Sequence, residues 1–303
     1  MSPKFLLASQ KKYETYSAWL FAFPALILLF LFLIVPFLMS IILSMTDLRL
    51  ISPLPTEFVG LKNYLRLFSD SLFFKALFNN LKFVIVVVPL QTAFALMLAL
   101  LVESPKRGSY FFRLTYFMPV VVTMVVVSVI WFFMYNPSIG LINRFLNFIT
   151  FGKAGEIPWL ESEKFALPAI IILSIWQGVG FQMVIYMAGL QGIPGSLYEA
   201  AIVDGASKCQ TFWKITLPQL KNTTIFVVVS TTILAFQLFT QVRVMTNGGP
   251  KDATTTTVLY IYNQGFKNLK VGYASAASFL FFLIVLLLSL IQRRFLESEK
   301  EVN

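Results

Sequence analysis

The chain has 303 residues, 57% of them hydrophobic and 13% charged, with a net charge of +10 and no histidine. A soluble domain carries about 25% charged residues, so this composition excludes a water-solvated globule and an unfolded chain alike, and the mean hydropathy of +0.77 points to lipid as the solvent. Without histidine, and with Cys209 as the lone cysteine, His-based acid–base and nucleophile chemistry, the commonest zinc sites and an internal disulfide are ruled out.

Charge-free stretches then predict six transmembrane helices, over 18–46, 83–102, 114–135, 165–190, 223–242 and 271–292. Each reaches the ~20 residues that cross about 30 Å of hydrocarbon. The runs are continuous rather than alternating, which argues against a β-barrel and for an all-α, polytopic fold. The first span is too long for a signal-peptide core and lacks a cleavage pattern, so it reads as a retained helix. Pro24, Pro36, Pro89 and Pro119 predict kinks. Lys82, Arg113 and Arg243 lie at span edges, where long side chains reach the interface. The basic residues occur at most in pairs, Lys11–Lys12, Lys106–Arg107 and Arg293–Arg294, which suits membrane-edge anchors and not a nucleic-acid surface. Six spans put both termini on one side. Lys and Arg divide twelve to twelve between the two sides, so only their higher density in the shorter segments favours cytoplasmic termini. The loops 47–82, 136–164 and 243–270 are long enough for short ordered structure.

The segment 191–218 is too long and too patterned for a passive hairpin. Pro194–Gly195 ends the fourth span, and Ser196 with Glu199 three residues on predicts a capping box opening a short helix through Val203. Gly205 suits a left-handed residue just past its end. A second short helix is expected over 207–215, before Pro218 opens the fifth span. Two readings fit such a helix–Gly–helix knuckle: an amphipathic hairpin lying in the membrane interface, or a docking element whose small residues let another protein approach.

The run Glu199, Ala200, Ala201, Asp204, Gly205, Ala206, Phe212, Ile215, Leu217 and Pro218 resembles the EAA loop of ABC importer permeases. A second match, Thr246-Asn-Gly-Gly-Pro250 followed by Thr254 to Thr257 and Tyr260-Ile-Tyr262, is similar to the carbohydrate branch of that family. The shorter permeases of oligosaccharide and glycerol-3-phosphate importers are the better match, since the extra N-terminal spans and large periplasmic insertion of the maltose type are missing. The resemblance implies a single permease domain over 1–303, with residues 191–222 as a cytoplasmic coupling loop docking on an ATPase through Glu199, Ala200, Ala201, Asp204, Gly205, Ala206 and Phe212. It further implies a second homologous permease, two cytoplasmic ATPase subunits and an extracytoplasmic solute-binding protein as partners. Both termini would be cytoplasmic, in the inner membrane of a bacterium or archaeon.

No Walker A loop is present: Gly152-Lys153 is followed by Ala154 and lacks the preceding glycine. ATP and Mg are therefore expected on the partner ATPases, and this chain is expected to hold no cofactor or metal and to catalyse nothing. The spans contain no Asp or Glu, which counts against an ion-coupled secondary carrier. Glu199 either pairs with a basic group on the ATPase while also capping its own helix, or caps that helix alone.

Neutral sugars are held by amides, hydroxyls and aromatic faces. Span four offers Trp176, Gln177, Gly178, Phe181, Gln182 and Tyr186. Span five offers Thr231, Leu234, Ala235 and Leu238 on one stripe, with Gln237 and Gln241 beside it. By resemblance to the maltose-type permease, Gly178, Phe181, Thr231, Leu234, Ala235 and Leu238 fall in a midplane sugar site. Ala235 and Leu238 depart from it, standing where that site uses amides. Any one of these glutamines could instead serve interhelical bonding. The alternative solute is glycerol-3-phosphate or a polyol; glycerol-3-phosphate would require convergent basic groups, and the candidates Arg113 and Arg243 both sit at span edges, which favours a neutral glycan.

Overall fold

The computed structural model describes residues 3–52, 55–103 and 108–298, with side chains over 16–52, 55–103 and 108–296. The pair Lys106–Arg107 and the side chains of Lys11 and Lys12, read above as membrane-edge anchors, lie outside these. Among the described residues there is no strand, only one isolated antiparallel bridge between Thr46 and Phe58. Two compact units form, one from residues up to Ser69 with Asn263–Leu280, the other from Asp70–Tyr262 with Phe281 onward.

In the first unit, α1 (Pro3–Leu29), a π-helical turn (Phe30–Ile34) and α2 (Val35–Ser44) make the first span. Pro36 sits at the start of α2. It brings no N–H to the ladder and its ring crowds the preceding turn, so the wider π turn ahead of it absorbs both effects. None of this span's apolar window is buried within the chain. Short α3 (Lys62–Phe68) closes the end of α2: Asn63 Nδ2 donates to the carbonyls of Ser44 and Thr46, each at 2.9 Å. Those are carbonyls a helix end leaves without partners.

The second unit holds the second to fifth spans and the later part of the sixth. Helix α4 runs over Ser71–Glu103, beginning well before the expected residue 83. Lys75 and Lys82 hid its first turns from a charge-free criterion, yet Asp70 caps them, its Oδ1 accepting from the N–H of Leu72 (2.9 Å) and Phe73 (3.2 Å). The third span is not a straight helix. Helices α5 (Ser109–Val121) and α6 (Met124–Met134) meet at 97°. Pro119 lacks the N–H that Thr115 would accept from, and the β-branched run Val120 to Thr123 follows it, so the ladder fails there. Pro24 and Pro89, by contrast, sit inside unbroken helices.

After α7 (Leu141–Ile149), helix α8 (Ala166–Gln191) is the hub, half buried and packed along α4 and α5. Within a bilayer, close packing rather than water exclusion holds helices together, and small residues permit it. Ala95 and Ala99 on α4 meet Val179, Met183 and Tyr186 on α8. A Cβ on Gly180 would strike the Tyr116 carbonyl, so α8 and α5 touch backbone to backbone. The chain continues through α9 (Gly195–Val203), α10 (Lys208–Thr211), a π turn (Phe212–Thr216) and α11 (Leu217–Gln219). Then come α12 (Lys221–Phe236), α13 (Thr240–Met245), α14 (Thr257–Tyr262) and α15 (Val271–Ser298). The fifth span is thus interrupted at residues 237–239, a break the sequence pattern did not reveal.

Candidate functional site

Around that break lies a cleft of about 310 Å³. Helix α4 lines it with Phe83, Val87 and Gln91, and the α5–α6 bend with Val120 and Met124. Ser174, Gln177, Gly178, Phe181 and Gln182 come from α8, and Ser230, Thr231, Leu234 and Ala235 from α12. Gln237, Leu238 and Gln241 complete it at the break and on α13. All nine solute-site residues expected from the sequence meet here. Two further candidates do not: Trp176 packs on Trp131, ring centroids 5.5 Å apart, and the Tyr186 hydroxyl donates to Thr224 Oγ1 at 3.2 Å. Phe181 is half exposed and lines the cleft.

Sequence reasoning missed Gln91, Ser174 and Ser230. An amide within an apolar run was the available signal for Gln91, but the resemblance named no motif on its helix. A Cβ on Gly178 would collide with the Gln91 amide, so this glycine makes the room in which Gln91 sits. Among the described residues, no charged side chain lines the cleft. Arg113 donates instead to the Val102 carbonyl at the end of α4 (3.1 Å), and Arg243 to Asn247 Oδ1 while lying over the Tyr262 ring.

The segment after α13 keeps the break open. Thr256 Oγ1 donates to the Leu238 carbonyl at 2.8 Å, and Asn80 Nδ2 to the Phe236 carbonyl at 3.2 Å. These side chains replace the helical partners that the interruption removes, a condition for irregular backbone at membrane depth. Asn80 Oδ1 also accepts from Thr257 N (2.7 Å), and Asn79 Nδ2 donates to the carbonyls of Asp252 and Thr255, both at 3.0 Å. The Gly-Gly-Pro and four-threonine motif is therefore a buckle fastened to the early turns of α4. At its exposed edge Lys251 pairs with Glu163 at 2.8 Å, and this hydrogen bond and charge hold Glu163 below the usual carboxylate range.

The knuckle is built locally. Helix α9 starts at Gly195 and has no side-chain cap, so the capping box expected at Ser196 and Glu199 does not form. Ser196 lies inside the first turn, where its hydroxyl no longer faces the free N–H groups. The box forms instead at Ser207 and Gln210, where Gln210 Oε1 accepts from Ser207 N (2.7 Å) and Ser207 Oγ from Gln210 N (3.3 Å). Between the helices, Ala206 N donates to Ala201 O (2.9 Å) and Gly205 N to Ile202 O (3.1 Å), with Gly205 at φ +71°. This is a Schellman closure, which requires a left-handed residue where glycine stands. Ala201 turns inward; Glu199, Ala200, Asp204 and Gly205 are exposed, and Ala206 and Phe212 half-buried. Ile202, Val203 and Trp213 are 76%, 86% and 61% exposed, an apolar surface that no described residue covers.

Residues 91–298 match the family described as binding-protein-dependent transport system inner membrane component. The chain belongs to this family. The probable ABC transporter permease protein YurN of Bacillus subtilis (strain 168) is 38% identical over 285 residues, covering 93% of this chain and 97% of that one. The lactose transport system permease protein LacF of Rhizobium radiobacter is 37% identical, with 94% and 95% covered. In fold, the permease is similar to a crystal structure of a bacterial ABC transporter involved in the import of the acidic polysaccharide alginate. The TM-score is 0.80 over 97% of this chain and 99% of the other, at 22% identity. This permease is a multi-pass inner-membrane protein and a transport subunit of an ATP-driven importer, not an enzyme.

Proposed function

We propose that the permease carries a sugar or oligosaccharide through the cleft between α4, α8 and α12. The nine residues Gln177, Gly178, Phe181, Thr231, Leu234, Ala235, Gln237, Leu238 and Gln241 contact the solute. One observation supports this above the others: residues from separate helices converge on one intramembrane cleft bearing amides, hydroxyls and an aromatic face but no charge. That is the chemistry that holds a neutral ring in an otherwise apolar wall, and the lactose-system relative fits it. The whole chain acts as one permease domain beside a second homologous permease, and receives solute from an extracytoplasmic binding protein.

Residues 191–222 form the coupling loop. Ile202, Val203 and Trp213 give it an apolar face for a cleft on the ATPase, and Glu199 and Asp204 give it anionic edges for basic groups there. ATP and Mg belong to the two ATPase subunits, whose closure pushes the knuckle and rocks α8 and α12 about the cleft. Loop and termini are cytoplasmic. Cys209, exposed on the loop, reports this directly. A membrane-impermeant maleimide is expected to label it in inside-out vesicles and not in intact cells, and the opposite pattern sinks the orientation. For the solute path, Phe181→Ala and Gly178→Leu in the assembled importer should abolish uptake of the sugar its binding protein captures. Normal uptake by both variants overturns the site.

A further inference from the structure

Two of the amides lining the cleft, Gln182 and Gln241, are not free to choose which end they offer. Thr231 Oγ1 donates its one hydrogen to the Val227 carbonyl, four residues back on α12, at 2.6 Å. A hydroxyl so committed can only accept from a further partner. The end of the Gln182 amide that meets it must therefore be the NH₂, and Gln182 Nε2 does donate to Thr231 Oγ1. Gln182 Oε1 is then left without a hydrogen-bond partner, on a side chain only 4% exposed that lines the cleft. Ser174 repeats the arrangement from α8: its hydroxyl donates to the Ile170 carbonyl at 2.7 Å and accepts a longer bond, 3.4 Å, from Gln241 Nε2. Gln241 also lines the cleft, and its NH₂ is likewise turned to a hydroxyl that cannot donate.

A buried acceptor with no donor is costly, and the group that relieves it must bring a hydrogen. A sugar or polyol hydroxyl does. A carboxylate, phosphate or sulfonate oxygen does not, and would set one acceptor against another. Among the described residues no cation lines the cleft to offset that repulsion, and Arg113 and Arg243 are turned to a helix end and to Asn247. From these relays we infer that the cleft selects uncharged, hydroxyl-donating solutes and rejects anionic ones, with Gln182 as the reader and Thr231 as the residue that fixes its orientation. This deepens the proposed function and rests on the cleft being the solute path.

The test uses the complete importer without its binding protein, so that the cleft alone chooses. A reporter cysteine is placed by Ser230→Cys in a Cys209→Ser background, and its alkylation by a maleimide is timed. Maltose, cellobiose and lactose are the neutral probes, each compared with the uronate in which a terminal CH₂OH is a carboxylate. At least one neutral disaccharide is expected to slow alkylation, with its uronate weaker by about tenfold or more in half-protecting concentration, as for a site that leaves a polar group unpaired. Thr231→Val lets the Gln182 amide turn over and should narrow that preference by about fivefold, while Thr231→Ser restores it. Equal protection by a disaccharide and its uronate overturns the selectivity while leaving the solute path standing. An undiminished preference in Thr231→Val, with the complex melting as the parent does, overturns the role of the relay. Protection by none of the probes removes the path itself, and the selectivity falls with it.

Discussion

The knuckle and the cleft are made in opposite ways. From Gly195 to Thr216 the knuckle is nearly all short-range: a Schellman closure spanning Ala201 to Ala206 and an exposed capping box spanning Ser207 to Gln210. The cleft is assembled from helices far apart in the chain, and its shape depends on Asn80 and Thr256, which do not line it. A locally closed motif can be displaced as a piece by a partner without disturbing the rest. A cleft held by distant side chains changes when the helices that carry them move relative to one another. The difference suits a lever and a gate.

Substitutions should separate the two. Gly180→Leu forces a side chain against the Tyr116 backbone, where nothing can yield, and should destabilise the permease by about 3 kcal/mol, read as lost yield and a lower melting temperature in detergent. Thr256→Val leaves the buried Leu238 carbonyl without its donor and should cost about 2 kcal/mol. Its transport loss ought to match that of cleft variants although it never touches solute. Gly205→Val meets no neighbour but must hold a β-branched residue at positive φ, at roughly 1–2 kcal/mol. Here the melting temperature of the core should hold while uptake and ATPase activity uncouple. If Gly205→Val unfolds the whole chain, the knuckle is no independent piece. Ser207→Ala removes the cap and should cost about 1 kcal/mol, again confined to the loop.

The smallest effect belongs to the exposed Lys251–Glu163 pair. The Glu163 pKa is lowered in the folded chain, so its contribution is present above the ordinary carboxylate pKa and lost as pH falls through the depressed one. Both ends are solvent-exposed, so acidification across that range, or Lys251→Gln, should leave melting unchanged within error. A clear shift would mean that the buckle depends on its rim.

What could be read without the fold follows the same division. Spans, loop and the left-handed Gly205 were legible because each is set by neighbours a few residues away. The capping box forms on α10 instead of α9, since Ser196 and Ser207 both have the right partner three residues on and only the path out of α8 selects between them. Pro119 marks a kink in the sequence but not how sharp it is, and the break at residues 237–239, which holds no proline, carries no such mark. A proline in a membrane helix can be absorbed, as Pro89 is in α4, or can end the helix, and packing decides which.

By itself the composition of this chain determined its solvent, and one polar segment its family. Too few charges for water, spans free of carboxylates and the absence of histidine follow from residue types alone and need no coordinates. Tertiary structure decided what the polar residues inside the membrane do. Trp176 and Tyr186 went to packing, Gln91 joined the cleft unannounced, and Thr231 fixed which end of Gln182 is offered. The physical reason is that a hydrogen bond between helices depends on atoms brought together across dozens of residues, whereas hydropathy adds up along the chain.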